Sequence, residues 1–86
     1  MGKKIIKFEA DWCMPCKKLS PILHEIEEEI KIDVRKIDVE DNEELTIAYN
    51  IRNIPTLVFL KDNIEVERLV GIRSKQELIE KINGYL

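Results

Sequence analysis

Leu57-Val58-Phe59-Leu60 is apolar at four successive positions, so a strand built from it has no face to give to water and must be buried on both sides. Asp62-Asn63 follows, a two-residue turn signal, and after it Ile64-Glu65-Val66-Glu67-Arg68-Leu69 alternates between apolar and charged residues. The pair reads as a β-hairpin with one interior strand and one half-exposed strand. An interior strand of this kind needs other elements packed over both faces of its sheet, and the order of elements along the chain makes them helices, placing it in the α/β class.

The remaining elements fall into order around that hairpin. Residues 3 to 8 form a short strand rich in β-branched residues, and Glu9-Ala10-Asp11 turns out of it. A first helix runs to about Ile30. Leu19, Ile22, Leu23, Ile26 and Ile30 recur at helical spacing as one apolar stripe, while Glu25, Glu27, Glu28 and Glu29 fall largely on the solvated side. Pro21 lies inside this helix and predicts a kink near Lys17 to Ser20. Ile32, Val34, Ile37 and Val39 mark a second strand, threaded with Lys31, Asp33, Arg35, Lys36 and Asp38 as an exposed edge strand would be.

Asp41-Asn42-Glu43-Glu44 has the spacing of a capping box and opens a short helix that buries Leu45, Ala48 and Tyr49 and closes at Asn50. Ser74-Lys75-Gln76-Glu77 is a second such box. It opens a last helix with Leu78, Ile79 and Ile82 on its apolar face, ending near Gly84. The order β-α-β-α-β-β-α implies one parallel crossover followed by an antiparallel hairpin, giving a four-stranded mixed sheet covered by three helices. With 86 residues there is room for one small domain, 1–86, and one modest core.

The candidate chemistry lies in Trp12-Cys13-Met14-Pro15-Cys16, which holds both cysteines and the only tryptophan. Two cysteines with two residues between them can share one face of a first helical turn and form a small-loop disulfide. The same spacing is half of a zinc site, but His24 is the only further Cys or His, too few for a structural zinc. It can also be two inert buried cysteines. Position favours reactivity, because the pair sits where a strand hands over to a helix. There the unpaired N–H groups and the positive end of the helix dipole lower a thiol from its free value of about 8.5.

Cys13, in the first turn, is therefore the expected nucleophile, and Cys16, one turn further in, the resolving thiol. Pro15 costs little in a first turn and stiffens the loop. Met14 is either an adaptable contact for varied partners or a tolerated surface residue. Lys17 and Lys18 either add positive potential or are ordinary solvated lysines. His24 falls off the apolar stripe and reads as an exposed helix residue, not a catalytic base.

Composition narrows the alternatives. Hydrophobic residues are 44% and charged residues 36% of the chain, the balance of a globular protein. A net charge of -3 disfavours nucleic acid as a partner. No apolar run approaches a membrane span, no signal peptide is legible, and Ile6 stands where a myristoylation signal needs Ser or Thr. The expected compartment is the cytoplasm, where a lone cysteine pair is catalytic more readily than structural.

Over nearly all of its length the chain resembles the thioredoxin family. Ala10-Asp11-Trp12-Cys13-Met14-Pro15-Cys16-Lys17 is similar to the family's active-site motif, with Met14 in place of the usual Gly. Pro21 falls where thioredoxins carry their helix-kinking proline. Asn50-Ile51-Arg52-Asn53-Ile54-Pro55-Thr56 resembles the cis-proline segment, and Val70-Gly71 the following glycine site. The resemblance implies a minimal thioredoxin fold without the usual N-terminal strand and helix. It implies a cis Ile54-Pro55 bond beside the cysteines and a substrate groove lined by Trp12, Met14, Pro15, Ile54, Pro55 and Gly71.

It also implies a protein-disulfide reductase that acts as a monomer on disulfide-containing client proteins. Electrons would come from a thioredoxin-reductase-like or glutathione donor, with no metal or bound cofactor. A glutaredoxin-like enzyme is the second reading, suggested by the short core, and a docking module with incidental redox activity the third. Two residues depart from the family pattern. Lys7 stands in place of a buried aspartate, with Lys36 at the position of the lysine that neighbours it, and Glu9 replaces a common aromatic residue. Lys7 and Lys36 are thus expected modulators of the thiols, Lys7 by favouring the Cys16 thiolate. A Lys7 that simply points to water is the alternative.

Overall fold

A computed structural model describes residues 2–85. Among them the elements run β1 (Lys3–Glu9), α1 (Met14–Ile30), β2 (Asp33–Asp38), α2 (Glu43–Ala48), β3 (Thr56–Lys61), β4 (Ile64–Val70) and α3 (Lys75–Tyr85). The sheet order is β2-β1-β3-β4. β1 pairs parallel with β2 through the α1 crossover and antiparallel with β3, and β3 pairs antiparallel with β4. This is the expected four-stranded mixed sheet with three helices, and β2 lies at its edge.

The hairpin forms as its residues dictate. Asp62 and Asn63 both take positive φ, 53° and 69°, the conformation a two-residue turn matched to strand twist demands. Thr56 through Leu60 are all buried, so β3 is the covered central strand that its unbroken apolar run requires. β4 is more open, and its register slips at Phe59/Leu60, so that Glu67 faces Phe59 while Glu65 faces Leu60. Val66 is the extra residue of a β-bulge.

Strand alternation divides the core. Ile5, Leu57 and Phe59 point to one face and pack against Leu19, Leu23 and Ile26 of α1 and Leu78 and Ile82 of α3. Ile6, Phe8, Val58 and Leu60 point to the other, under Leu45, Tyr49, Ile51 and Ile54. α1 stays helical through Pro21 and ends at Lys31, which takes the left-handed conformation (φ 64°) and returns its N–H to the Glu27 carbonyl.

Both predicted capping boxes open helices, but only one has a side-chain cap. At α3 the Ser74 hydroxyl accepts from Glu77 N–H (3.2 Å) and the Glu77 carboxylate accepts from Ser74 N–H (3.4 Å). At α2 the cap is Asn42 in place of Asp41. Its side chain turns back to donate to the Asp38 carbonyl at 3.0 Å, and no side chain caps the helix. Ala48, expected in the buried face of α2, is exposed, because this helix is one and a half turns long and only Leu45 and Tyr49 reach the sheet side.

Candidate active site

β1 ends at Glu9 and the chain turns through Ala10, whose carbonyl accepts the Cys13 N–H at 3.1 Å. That bond sets Cys13 as the N-cap of α1, with extended backbone (φ -87°, ψ 105°), and Met14 and Pro15 occupy the first two helical positions. Pro15 is accommodated because no intrahelical partner awaits an N–H there. The Cys13 sulfur takes the role a Ser or Asp oxygen plays at other caps, accepting the Cys16 N–H at 3.2 Å. The first turn of α1 carries no acidic side chain, so the positive end of the helix is left to act on the sulfurs.

Cys13 and Cys16 are joined in a disulfide with Cα atoms 5.2 Å apart. Cys13 is 4% exposed and Cys16 1%. Both pack with Ala10 and are touched by Val39 and Ile54. Around them the surface is apolar and open, with Trp12 65% and Met14 60% exposed. The Trp12 indole is held by a bond from Nε1 to the Glu40 carboxylate at 3.0 Å.

Ile54-Pro55 is a cis peptide bond. The Pro55 carbonyl accepts the Gly71 N–H at 2.9 Å, and Gly71 has φ 92°, a conformation glycine adopts without steric cost. The expected groove residues therefore fall in two groups: Trp12, Met14 and Pro15 on the α1 side, and Ile54, Pro55 and Gly71 on a second, hydrogen-bonded wall. Ile54 links the two by its contact with the cysteine cluster. Trp12, Val39, Ile51, Arg52 and Ile54 also line a cavity of about 180 Å³, and two of these, Val39 and Ile54, touch the cysteine cluster.

Lys7 is fully buried, so the alternative in which it points to water does not hold. Its Nζ donates to the Cys16 carbonyl at 2.8 Å and the Ser20 hydroxyl at 2.7 Å, and lies 2.6 Å from the Glu9 carboxylate. Lys36 is the Cα partner of Lys7 across β1 and β2, but it is exposed and not part of this network. Sequence reading treated the Lys7 and Glu9 departures separately and missed that they meet. The signal was present, since residues two apart on a strand share a face.

The other candidate side chains face outward. His24 is on the outer side of α1, paired with Glu28 at 2.8 Å, and Lys17 and Lys18 are exposed. Among the described residues no group of His, Cys, Asp and Glu is arranged to hold a metal ion.

A sequence model of the family described as Thioredoxin matches residues 2–84. The chain is 41% identical over 87 residues to a thioredoxin of Bacillus subtilis, an alignment covering 99% of this chain and 84% of the relative. It is 40% identical over 85 residues to a thioredoxin of Chlamydia caviae, covering 98% and 83%. Among solved structures it resembles a mutant thioredoxin from Halobacterium salinarum with a TM-score of 0.93 at 38% identity, covering 98% of this chain and 74% of that one. The thioredoxin of Fasciola hepatica gives 0.90 at 34%, covering 98% and 81%.

Proposed function

The chain belongs to the thioredoxin family and is a thiol-disulfide oxidoreductase; on that premise we propose that it reduces protein disulfides with Cys13 as nucleophile and Cys16 as resolving thiol. The observation that carries this assignment of roles is the Cys13 sulfur at the N-cap of α1, accepting the Cys16 N–H where a thiolate is stabilised. Family membership implies disulfide-containing substrates and a thioredoxin reductase.

In the proposed cycle the Cys13 thiolate attacks one sulfur of a client disulfide. The client S–S bond breaks, its other sulfur leaves as a thiolate and takes up a proton, and a mixed disulfide forms at Cys13. Cys16, having given up its proton, attacks the Cys13 sulfur. The second client sulfur leaves and is protonated, and the Cys13–Cys16 disulfide remains. The client has gained two electrons and two protons, and the cysteine pair has lost them. Return to the dithiol takes two electrons from the external donor and two protons, and uses no metal or bound cofactor.

Trp12, Met14, Pro15, Ile54, Pro55 and Gly71 line the client groove in this reading, with an extended client strand adding beside the Ile54 backbone. Lys7 favours the Cys16 thiolate by its buried positive charge, while Lys36 acts through water and is largely screened. The donor is the reductase and not glutathione, and the protein works as a monomer in the cytoplasm, a compartment that keeps such a pair reduced.

Single-turnover reduction of a disulfide-bonded client tests the roles. Cys13→Ser loses all reduction, whereas Cys16→Ser performs the first step and accumulates the mixed disulfide. The reverse pattern overturns the assignment. A reduction potential of about -270 mV supports the reductase donor, and one of about -200 mV supports glutathione.

A further inference from the structure

β1 carries two opposite charges, Lys7 and Glu9, on one face, and Lys7 reaches the backbone of Cys16. An ammonium has three N–H donors, and Lys7 has three acceptors for them: the Cys16 carbonyl, the Ser20 hydroxyl and the Glu9 carboxylate. Only the last is a counter-charge. Burying an ammonium is costly, and the cost is met here by all three acceptors together, the Cys16 carbonyl and Ser20 hydroxyl among them, with Glu9 adding the counter-charge. The Glu9 side chain is 25% exposed, against 0% for Lys7, so it connects the buried cation to solvent.

The surroundings leave this pair to itself. From α1 the network meets Cys16 and Ser20. From β2, Lys36 stands opposite Lys7 but is exposed, and Asp38 stands opposite Glu9 with its carboxylate accepting the Glu40 N–H at 2.8 Å. From β3, Leu57 lies opposite Lys7 and brings no titratable group. The Glu9 carboxylate is bonded to Lys7 and not to Cys16, while Lys7 is bonded to Cys16 itself.

We propose that Glu9 is a positioning residue for the resolving thiol: it acts through Lys7, holding the ammonium against the Cys16 carbonyl and offsetting part of the positive potential that Lys7 casts on the Cys16 sulfur. The inference rests on Cys16 being the thiol that ionises during resolution. Lys7 is bonded to the Cys16 carbonyl and Glu9 only to Lys7, so Lys7 outweighs Glu9 and the couple leaves a net positive potential at the sulfur, smaller than Lys7 alone would give. The thiolate is thus made available for attack without being stabilised so far that it becomes a poor nucleophile.

The test is a pH titration of the reduced protein, following the Cys16 Cβ resonance. Glu9→Gln keeps an acceptor for Lys7 and removes the charge. The thiolate fraction of Cys16 at a given pH below its midpoint then rises about tenfold. The Lys7→Met/Glu9→Gln double variant removes both charges, and its thiolate fraction falls below wild type. An unchanged or decreased thiolate fraction in Glu9→Gln overturns the proposal, as does a double variant on the same side of wild type as the single one.

Wild-type protein supplies a readout independent of any variant's folding. The Glu9 carboxyl carbon resonance inflects at the Cys16 midpoint, and a Glu9 signal indifferent to Cys16 ionisation overturns the coupling. Trapping of the mixed disulfide by Cys16→Ser separates the two failures. If trapping occurs but the titrations do not move as stated, only the role of Glu9 falls. If it does not occur, the resolving role of Cys16 falls.

Discussion

On one face of the sheet Ile5, Leu57 and Phe59 are sealed under α1 and α3, with Leu19, Leu23, Ile26, Leu78 and Ile82 all buried. On the other face Ile6, Phe8, Val58 and Leu60 lie under Leu45, Tyr49, Ile51 and Ile54, which are only partly buried, and α2 has no buried residue at all. The cysteines sit where these two covers meet, with Cys16 in the first turns of α1 and Ile54 reaching them from the thinner side. The deep face carries α1 and with it the cysteine turn, while Val39 and Ile54 reach the sulfurs from the shallow side, beside the exposed Trp12.

Matched substitutions in one strand test that difference most severely. Leu57 and Leu60 have the same chemistry and near-equal burial but point to opposite faces. Leu57→Ala is expected to cost about 4 kcal/mol, near the top of the range for such changes, because its neighbours cannot close the cavity. Leu60→Ala is expected to cost about 2 kcal/mol, since the shallow cover can settle. Denaturant unfolding measures both, and equal losses would break the comparison.

A smaller contrast lies in the helix ends. Ser74→Ala removes the reciprocal cap of α3 and is expected to cost about 1 kcal/mol. Asn42→Ala at α2 removes no cap bond and should cost clearly less in the same unfolding assay.

The smallest effect belongs to Lys75, which ties α3 to α1 through Glu29 and Glu25. Glu29 foremost, then Glu25, raises the Lys75 ammonium above its ordinary range. A group raised in the folded state contributes stability that is complete below its unfolded pKa and is lost as pH rises through the folded one. Lys75→Met should therefore lower the unfolding midpoint slightly at neutral pH. The deficit should vanish in high salt and at strongly alkaline pH, as expected for a largely exposed pair.

Much of the scaffold was legible because local chemistry and global packing agree. Leu57 to Leu60 announced the buried strand, Asp62-Asn63 its turn, and the charges of Asp33, Arg35 and Lys36 the edge position of β2. The cysteine pair was legible from its place between strand and helix. What escaped depended on contacts distant in sequence or on competition between similar residues. Trp12 meets Glu40 across 28 positions, which no local pattern encodes. Asp41 and Asn42 both suit a helix start, and the Asp38 carbonyl decided between them by engaging the Asn42 side chain. The fate of Lys7 turned on Glu9, and the two were readable together only from the period of the strand.

The bulge at Val66 has a consequence for how the molecules behave in company. A sheet with two open edges offers unpaired N–H and C=O groups to any other strand, and here the outer strands are β2 and β4. Exposed Ile64 and Val66 would make a flat β4 adhesive. The extra residue twists that edge out of register, Glu65, Glu67 and Arg68 place charge along it, and Asp33, Arg35 and Lys36 do the same along β2. Copies crowded together are thereby denied a straight template for stacking, so the solution should remain clear at concentrations where a regular apolar edge would seed fibres.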